Sequence, residues 1–133
     1  MISNVRPCPQ CGEPAATSFG EDAVGSRLRW FESWSCTACG HTSEADGGDR
    51  LPDELRVQSL TATGSYRVRV TPRDAVAFLR ALRQTFQMPL AEAQAVYRAL
   101  PGIFRSGLTR AEASCIVNSL PPDCADARAE RET

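Results

Sequence analysis

Two short stretches, Cys8-Pro-Gln-Cys11-Gly12 and Cys36-Thr-Ala-Cys39-Gly40, carry the clearest chemistry in this sequence, and 24 residues (12–35) separate Cys11 from Cys36. Two thiolates spaced two residues apart in a tight turn grip one metal ion from one side. A second such pair completes a tetrahedral four-sulfur site, the geometry of structural zinc. After the second cysteine of each pair the backbone must turn back, with φ > 0, which Gly12 and Gly40 permit without strain. Local disulfides or a thioredoxin-like redox pair would also use C-x-x-C. Redox pairs open a helix after a strand, however, whereas Pro7, Pro9 and Gly12 favour an irregular turn. The expectation is one structural Zn2+ on Cys8, Cys11, Cys36 and Cys39, with no coordination position left for water or substrate. His41, the single histidine, is expected beside the site and not as a ligand.

The elements around these pairs are short. Ala15 to Phe19 and Arg27 to Ser35 read as two strands joined by a turn over Gly20 to Gly25, with Leu28, Trp30 and Trp34 on one face at period two. His41 to Ala45 supplies a third short strand, and the polar run from Glu44 to Asp49 reads as the exit. Knuckle, hairpin, knuckle and strand is the plan of a zinc ribbon, which residues 1–48 resemble in their CPxCG and CxxCGH details. So small a unit buries little core, and the metal must supply its folding energy. Trp30, Phe31 and Trp34 are expected to cover the hairpin; stacking on nucleic-acid bases is the competing reading.

Residues 49–65 form a connecting segment whose Leu51, Leu55, Val57 and Leu60 are apolar enough to seek burial against a shared interface, with Pro52-Asp-Glu suiting a short helix start. From residue 66 to 133 a second module is expected. Tyr66, Val68 and Val70 alternate with Arg67 and Arg69 as a half-buried strand. Thr71, Pro72 and Asp74 then read as the cap, first position and acidic third position of a helix with Ala75, Leu79, Leu82 and Phe86 inward. Pro89 starts a second helix that carries Leu90, Ala93, Val96, Tyr97 and Leu100 inward, and Pro101-Gly102 stops it. Ile103 to Leu108 fits an edge strand. Thr109 to Glu112 is a capping box opening a third helix, with Ala113, Ile116, Val117 and Leu120 buried. Pro121 to Thr133 shows no alternation of apolar residues, Cys115 reads as a packing thiol, and Cys124 is expected to be exposed. The fold class is thus α+β: a small β zinc ribbon with four cysteine ligands, then a two-layer βααβα module with an optional last strand.

Residues Phe78 to Leu120 resemble the C-terminal domain of the bacterial ribosomal stalk protein, through Phe78-Leu79-Arg80-Ala81-Leu82-Arg83, Leu90-Ala91-Glu92-Ala93, Pro101 and Phe104-Arg-Ser-Gly-Leu-Thr109. The resemblance implies the βααβαβ plan, shared with the adaptor of the bacterial Clp protease, and a role in holding a protein partner. The family's glycine-rich turn is here Gln87-Met88-Pro89, and two of its lysines correspond to Ala91 and Gln94, so the ribosomal role itself does not carry over.

Charge is segregated. Residues 1–65 hold five Arg against nine acids, residues 66–110 eight Arg against two, and residues 111–133 two Arg against five, with no Lys anywhere. Arg73, Arg80, Arg83 and Arg98 are expected to form the landing site of an acidic partner protein. No nucleophile elbow, phosphate loop or apolar carboxylate pair is present, which points to a non-enzyme without a small-molecule substrate. The leading reading is an adaptor, with an inhibitor or immunity protein as a narrower form. The rival is a nucleic-acid-binding zinc-ribbon protein of translation or transcription, which the acidic N-terminal half disfavours. Met1 to Arg6 holds no long apolar core and no run is long enough to span a bilayer, so the expectation is a cytoplasmic, reduced protein off the membrane.

Overall fold

The computed structural model describes residues 1–132. Over these described residues the chain is α+β, with seven strands in two antiparallel sheets and four helices. The first sheet is a meander in the order β1 (Ile2–Pro7), β2 (Pro14–Val24), β3 (Arg27–Ser35), β4 (Thr42–Gly48). The cysteine knuckles fill the β1–β2 and β3–β4 joints, and the long β2–β3 hairpin returns the second knuckle to the end where the first one sits.

The hairpin differs from the sequence expectation. Pairing runs on to Val24 opposite Arg27, so the turn is only Gly25-Ser26, and Gly20 to Val24 are strand. β4 likewise continues through the glycines read as an exit, because the Trp30 indole lies across the strand. A Cβ on Gly47 would sit 2.8 Å from that ring, so the glycine is the space the ring occupies. The N-terminal residues also form a strand, β1, which adds a fourth member to the sheet.

Helix α1 (Asp53–Thr63) follows within the connecting segment. The second sheet has the order β6 (Gly102–Leu108), β5 (Tyr66–Pro72), β7 (Ala125–Arg131). Helices α2 (Ala75–Thr85), α3 (Leu90–Arg98) and α4 (Arg110–Ser119) complete that module. Its core is built from Val68 and Val70 of β5, Phe78 and Leu82 of α2, Ala93 of α3, Phe104 of β6 and Ala113 of α4. Thr71 and Pro72 remain in β5, so the cap of α2 is Asp74, whose carboxylate accepts the Ala77 N–H at 2.9 Å. The shift moves the inward face: Phe78 and Leu82 are buried, whereas Ala75 lies exposed in the first turn. Leu90 is exposed as well, because it starts α3 where the helix has not yet reached the core. The capping box on Thr109 and Glu112 forms as the sequence predicts.

The last strand is present. In β7 the residues facing inward are small, Ala125 and Ala127, and α4 packs closely against them, so a search for bulky alternation does not see the strand. Cys124, expected to be exposed, is 2% exposed and joins the core. Its carbonyl accepts the N–H groups of Arg73 and Asp74, holding β7 beside the start of α2. On the outer face Glu130 accepts hydrogen bonds from Arg67 (2.9 Å) and Arg69 (3.1 Å).

The two sheets share an interface. Leu28 of β3, Leu51 and Ala111 of α4 form one buried cluster, with Trp30 and Cys115 packed on it. Polar ties surround it: Arg56 of α1 meets Glu112 at 3.0 Å and the Gly107 carbonyl at 2.7 Å, and Asn118 donates to the Gly25 carbonyl at 2.7 Å. Leu51 and Leu55 are buried as expected, but Val57 faces outward.

Two outcomes follow from this packing. Leu51 is 1% exposed, so Leu51→Ala is expected to cost about 2–5 kcal/mol by denaturant titration. It should also loosen the two halves toward separate tumbling in 15N relaxation. The second concerns acid. Hydrogen bonds from Arg69, then Arg67, hold the Glu130 carboxyl below its ordinary 4.5. A carboxyl depressed by folding adds stability above its ordinary value and loses it as pH falls through the lowered one. Glu130→Gln is thus expected to be less stable than the parent at pH 7, the gap closing as pH drops below 4.5. The gap is small, because these partners are partly solvated.

Candidate metal centre and charged surface

The two knuckles are built alike. The Cys8 N–H donates to the Glu13 carbonyl and the Gly12 N–H to the Cys8 carbonyl. The Cys36 N–H donates to the His41 carbonyl and the Gly40 N–H to the Cys36 carbonyl, with matching distances of 2.8 and 2.9 Å in both. Gly12 and Gly40 take φ of 78° and 76°, the left-handed turn that returns each chain to its next strand. Cys8 and Cys36, the first of each pair, are buried, while Cys11 and Cys39 face solvent. Ala15 and Trp34 pack on the buried sulfurs, and the Arg6 guanidinium covers the Trp34 ring at 4.5 Å.

The four sulfurs lie within 4.8 Å of one another. Across the knuckles, Cys8 and Cys39 are 3.7 Å apart and Cys11 and Cys36 3.6 Å apart. Tetrahedral ligands at a metal–sulfur distance of about 2.3 Å stand about 3.8 Å from one another, so the spacing fits one four-thiolate ion. The thiols' protonation points the same way. Backbone donation from Cys11 leads the effects that bring Cys8 down to about 7. At Cys11 donation from the Glu13 backbone works in the opposite sense, yet exclusion from water and the neighbouring sulfurs push the thiol up to about 12. The same opposition raises Cys39, against donation from the His41 backbone. Cys11 and Cys39 thus hold their protons more firmly than a free thiol does, and a bound cation would displace them.

His41 lies beside the knuckle and contributes no atom to the four-residue group. Trp30 belongs to the interface cluster and Trp34 to the metal-site cover, so neither is an open stacking platform. Phe31, grouped with them in the sequence, points to the opposite face, as strict alternation along β3 requires. The sequence reading also missed Arg56, whose pairing with Glu112 across the fold leaves no local pattern.

The four arginines marked by the sequence do not share one helix. Arg80 and Arg83 are exposed on α2, and Arg98 is exposed in the last turn of α3. Arg73 precedes the α2 cap, and its guanidinium donates to the Pro122 carbonyl at 2.8 Å. Among the described residues no helix is long and apolar enough to cross a membrane.

Cys36→Ser removes one of four ligands and is expected to abolish stoichiometric metal binding. Native mass spectrometry should find one ion per chain in the parent and none in the variant. Circular dichroism is expected to keep the helical signal of the second module while the first sheet is lost.

Comparison with family models, curated proteins and solved structures finds no match for this chain.

Proposed function

We propose that this chain is a non-catalytic adaptor that holds another protein, and that its metal is one structural zinc ion; an inhibitor or immunity protein is the narrower form. Zinc suits the centre because a closed four-sulfur tetrahedron takes no substrate and the ion takes no redox step. The succession strand, helix, helix, strand, helix, strand over residues 66–131 supports a stalk-protein-C-terminal-like module as the holding part.

One observation carries the partner reading. Arg80, Arg83 and Arg98 are exposed and make no ion pair among the described residues; Arg27, Arg29, Arg105, Arg110 and Arg131 share that property, but these three stand together on α2 and α3, which pack against each other. Val76 and Leu90, exposed at the starts of α2 and α3, add apolar area to the same pair of helices. Free guanidinium groups beside exposed apolar side chains suit an acidic protein surface. A nucleic acid would use the same arginines, but the first sheet offers it no open tryptophan.

Arg80→Glu with Arg83→Glu is expected to leave thermal stability within about 0.5 kcal/mol, since both side chains are exposed. In affinity capture from the native host, the parent should retain one protein at fixed stoichiometry and the double variant should lose it. With the purified partner, association should slow and its salt dependence should flatten. Equal capture by both forms overturns this placement of the interface. Retention of nucleic acid with a steep salt slope supports the rival function.

A further inference from the structure

Among the described residues Phe31 is the one aromatic side chain left exposed, at 46%. It lies on the outer face of the first sheet, opposite Gly20 of β2 and Asp46 of β4. A Cβ on Gly20 would stand 2.4 Å from the ring tip, so only glycine lets the ring lean onto β2. The ring is thereby fixed, with much of its surface still open.

Carboxylates surround that open surface. On the β4 side Phe31 shares a hollow with Glu44 and Asp46, and on the β2 side it shares another with Asp22; Met1 borders both. Register puts Asp22, Glu44 and Asp46 on the same outer face as the ring, and all three are exposed. Arg29, also on this face, stands opposite Asp22. Glu44 and Asp46 have no basic residue opposite them on β3, and neither makes an ion pair among the described residues. An aromatic face bordered by two free carboxylates matches one side chain above others. A guanidinium stacks on the ring by its plane and donates its N–H groups to the carboxylates at its edge. Lysine offers a charge without the plane, and a nucleic-acid phosphate would be repelled.

We infer that this outer face is a docking site for an arginine-bearing segment of a partner protein, seated on Phe31 and held by Asp46 and Glu44. The site goes beyond the adaptor reading and uses none of the α2 and α3 arginines, so either surface can fail without the other.

The test is a 1H–15N titration of the zinc-loaded full chain with the capped peptide Gly-Ala-Arg-Ala-Gly, beside its citrulline counterpart, which keeps the shape and loses the charge. Saturable shifts are expected at Gly20, Phe31, Glu44, Asp46 and their neighbours with the arginine peptide only. Phe31→Leu and Asp46→Asn should each weaken binding by about threefold, in keeping with an exposed cation–π contact and one carboxylate. Asp46→Asn serves as the independent variant should Phe31→Leu disturb the sheet. Equal response to citrulline, shifts centred on another face, or undiminished affinity in Asp46→Asn would each overturn the assignment. Movement of the same signals on dilution of the protein alone would overturn it in favour of a second copy as occupant.

Discussion

Four sulfurs within 4.8 Å of one another repel as thiolates, and a cation between them turns that repulsion into cohesion. Much of the N-terminal half is set by this requirement. The knuckles must meet at one end, so the chain between them has to travel out and back in register, which β2 and β3 do around Gly25-Ser26. With both strand ends pinned, the side-chain parity is pinned too: Leu28, Trp30 and Trp34 turn inward and Phe31 outward. A slip of one residue would exchange these faces and leave the interface cluster without Leu28.

The second half packs on that inward face, and the attachment is economical in residues. Glu112 accepts the Thr109 N–H to close the α4 capping box and pairs with Arg56 from α1. One carboxylate thus serves helix initiation and attachment of the connecting helix. Also from α1, Ser59 donates to Glu21 of β2 at 2.9 Å, and Arg6 of β1 pairs with both Glu32 and Glu54. Helix α1 is accordingly tied to both sheets, which is why a segment with poor periodicity is nonetheless ordered.

What the sequence displayed and what it concealed divide along physical lines. Cys8, Cys11, Cys36 and Cys39 were legible because ligand spacing is local and chemically distinctive. The Thr109 capping box was legible for the same reason. The start of α2 was misread because Thr71-Pro72 is an acceptable cap in isolation, while pairing to β7 keeps both residues extended. Cys124 and the strand after it stayed hidden because their burial depends on β5 and α4, distant in sequence, and because alanine carries little hydrophobic signal. Val57 and Leu90 show the converse: apolar residues that tertiary placement leaves at the surface.

The two sheets also differ in when they can exist. In the first, every strand pairs with its neighbour in sequence. Synthesis from the N-terminus can therefore complete it once Gly48 has emerged. In the second, β5 lies between β6 and β7, and its contacts with β7 run from Pro72–Ala125 to Tyr66–Arg131. A nascent chain that has made α4 but not β7 presents β5 with a free hydrogen-bonding edge, while Val68 and Val70 await their full cover. The interval between Leu120 and Arg131 is thus when a growing chain is most open to mispairing, although its first sheet can already be complete.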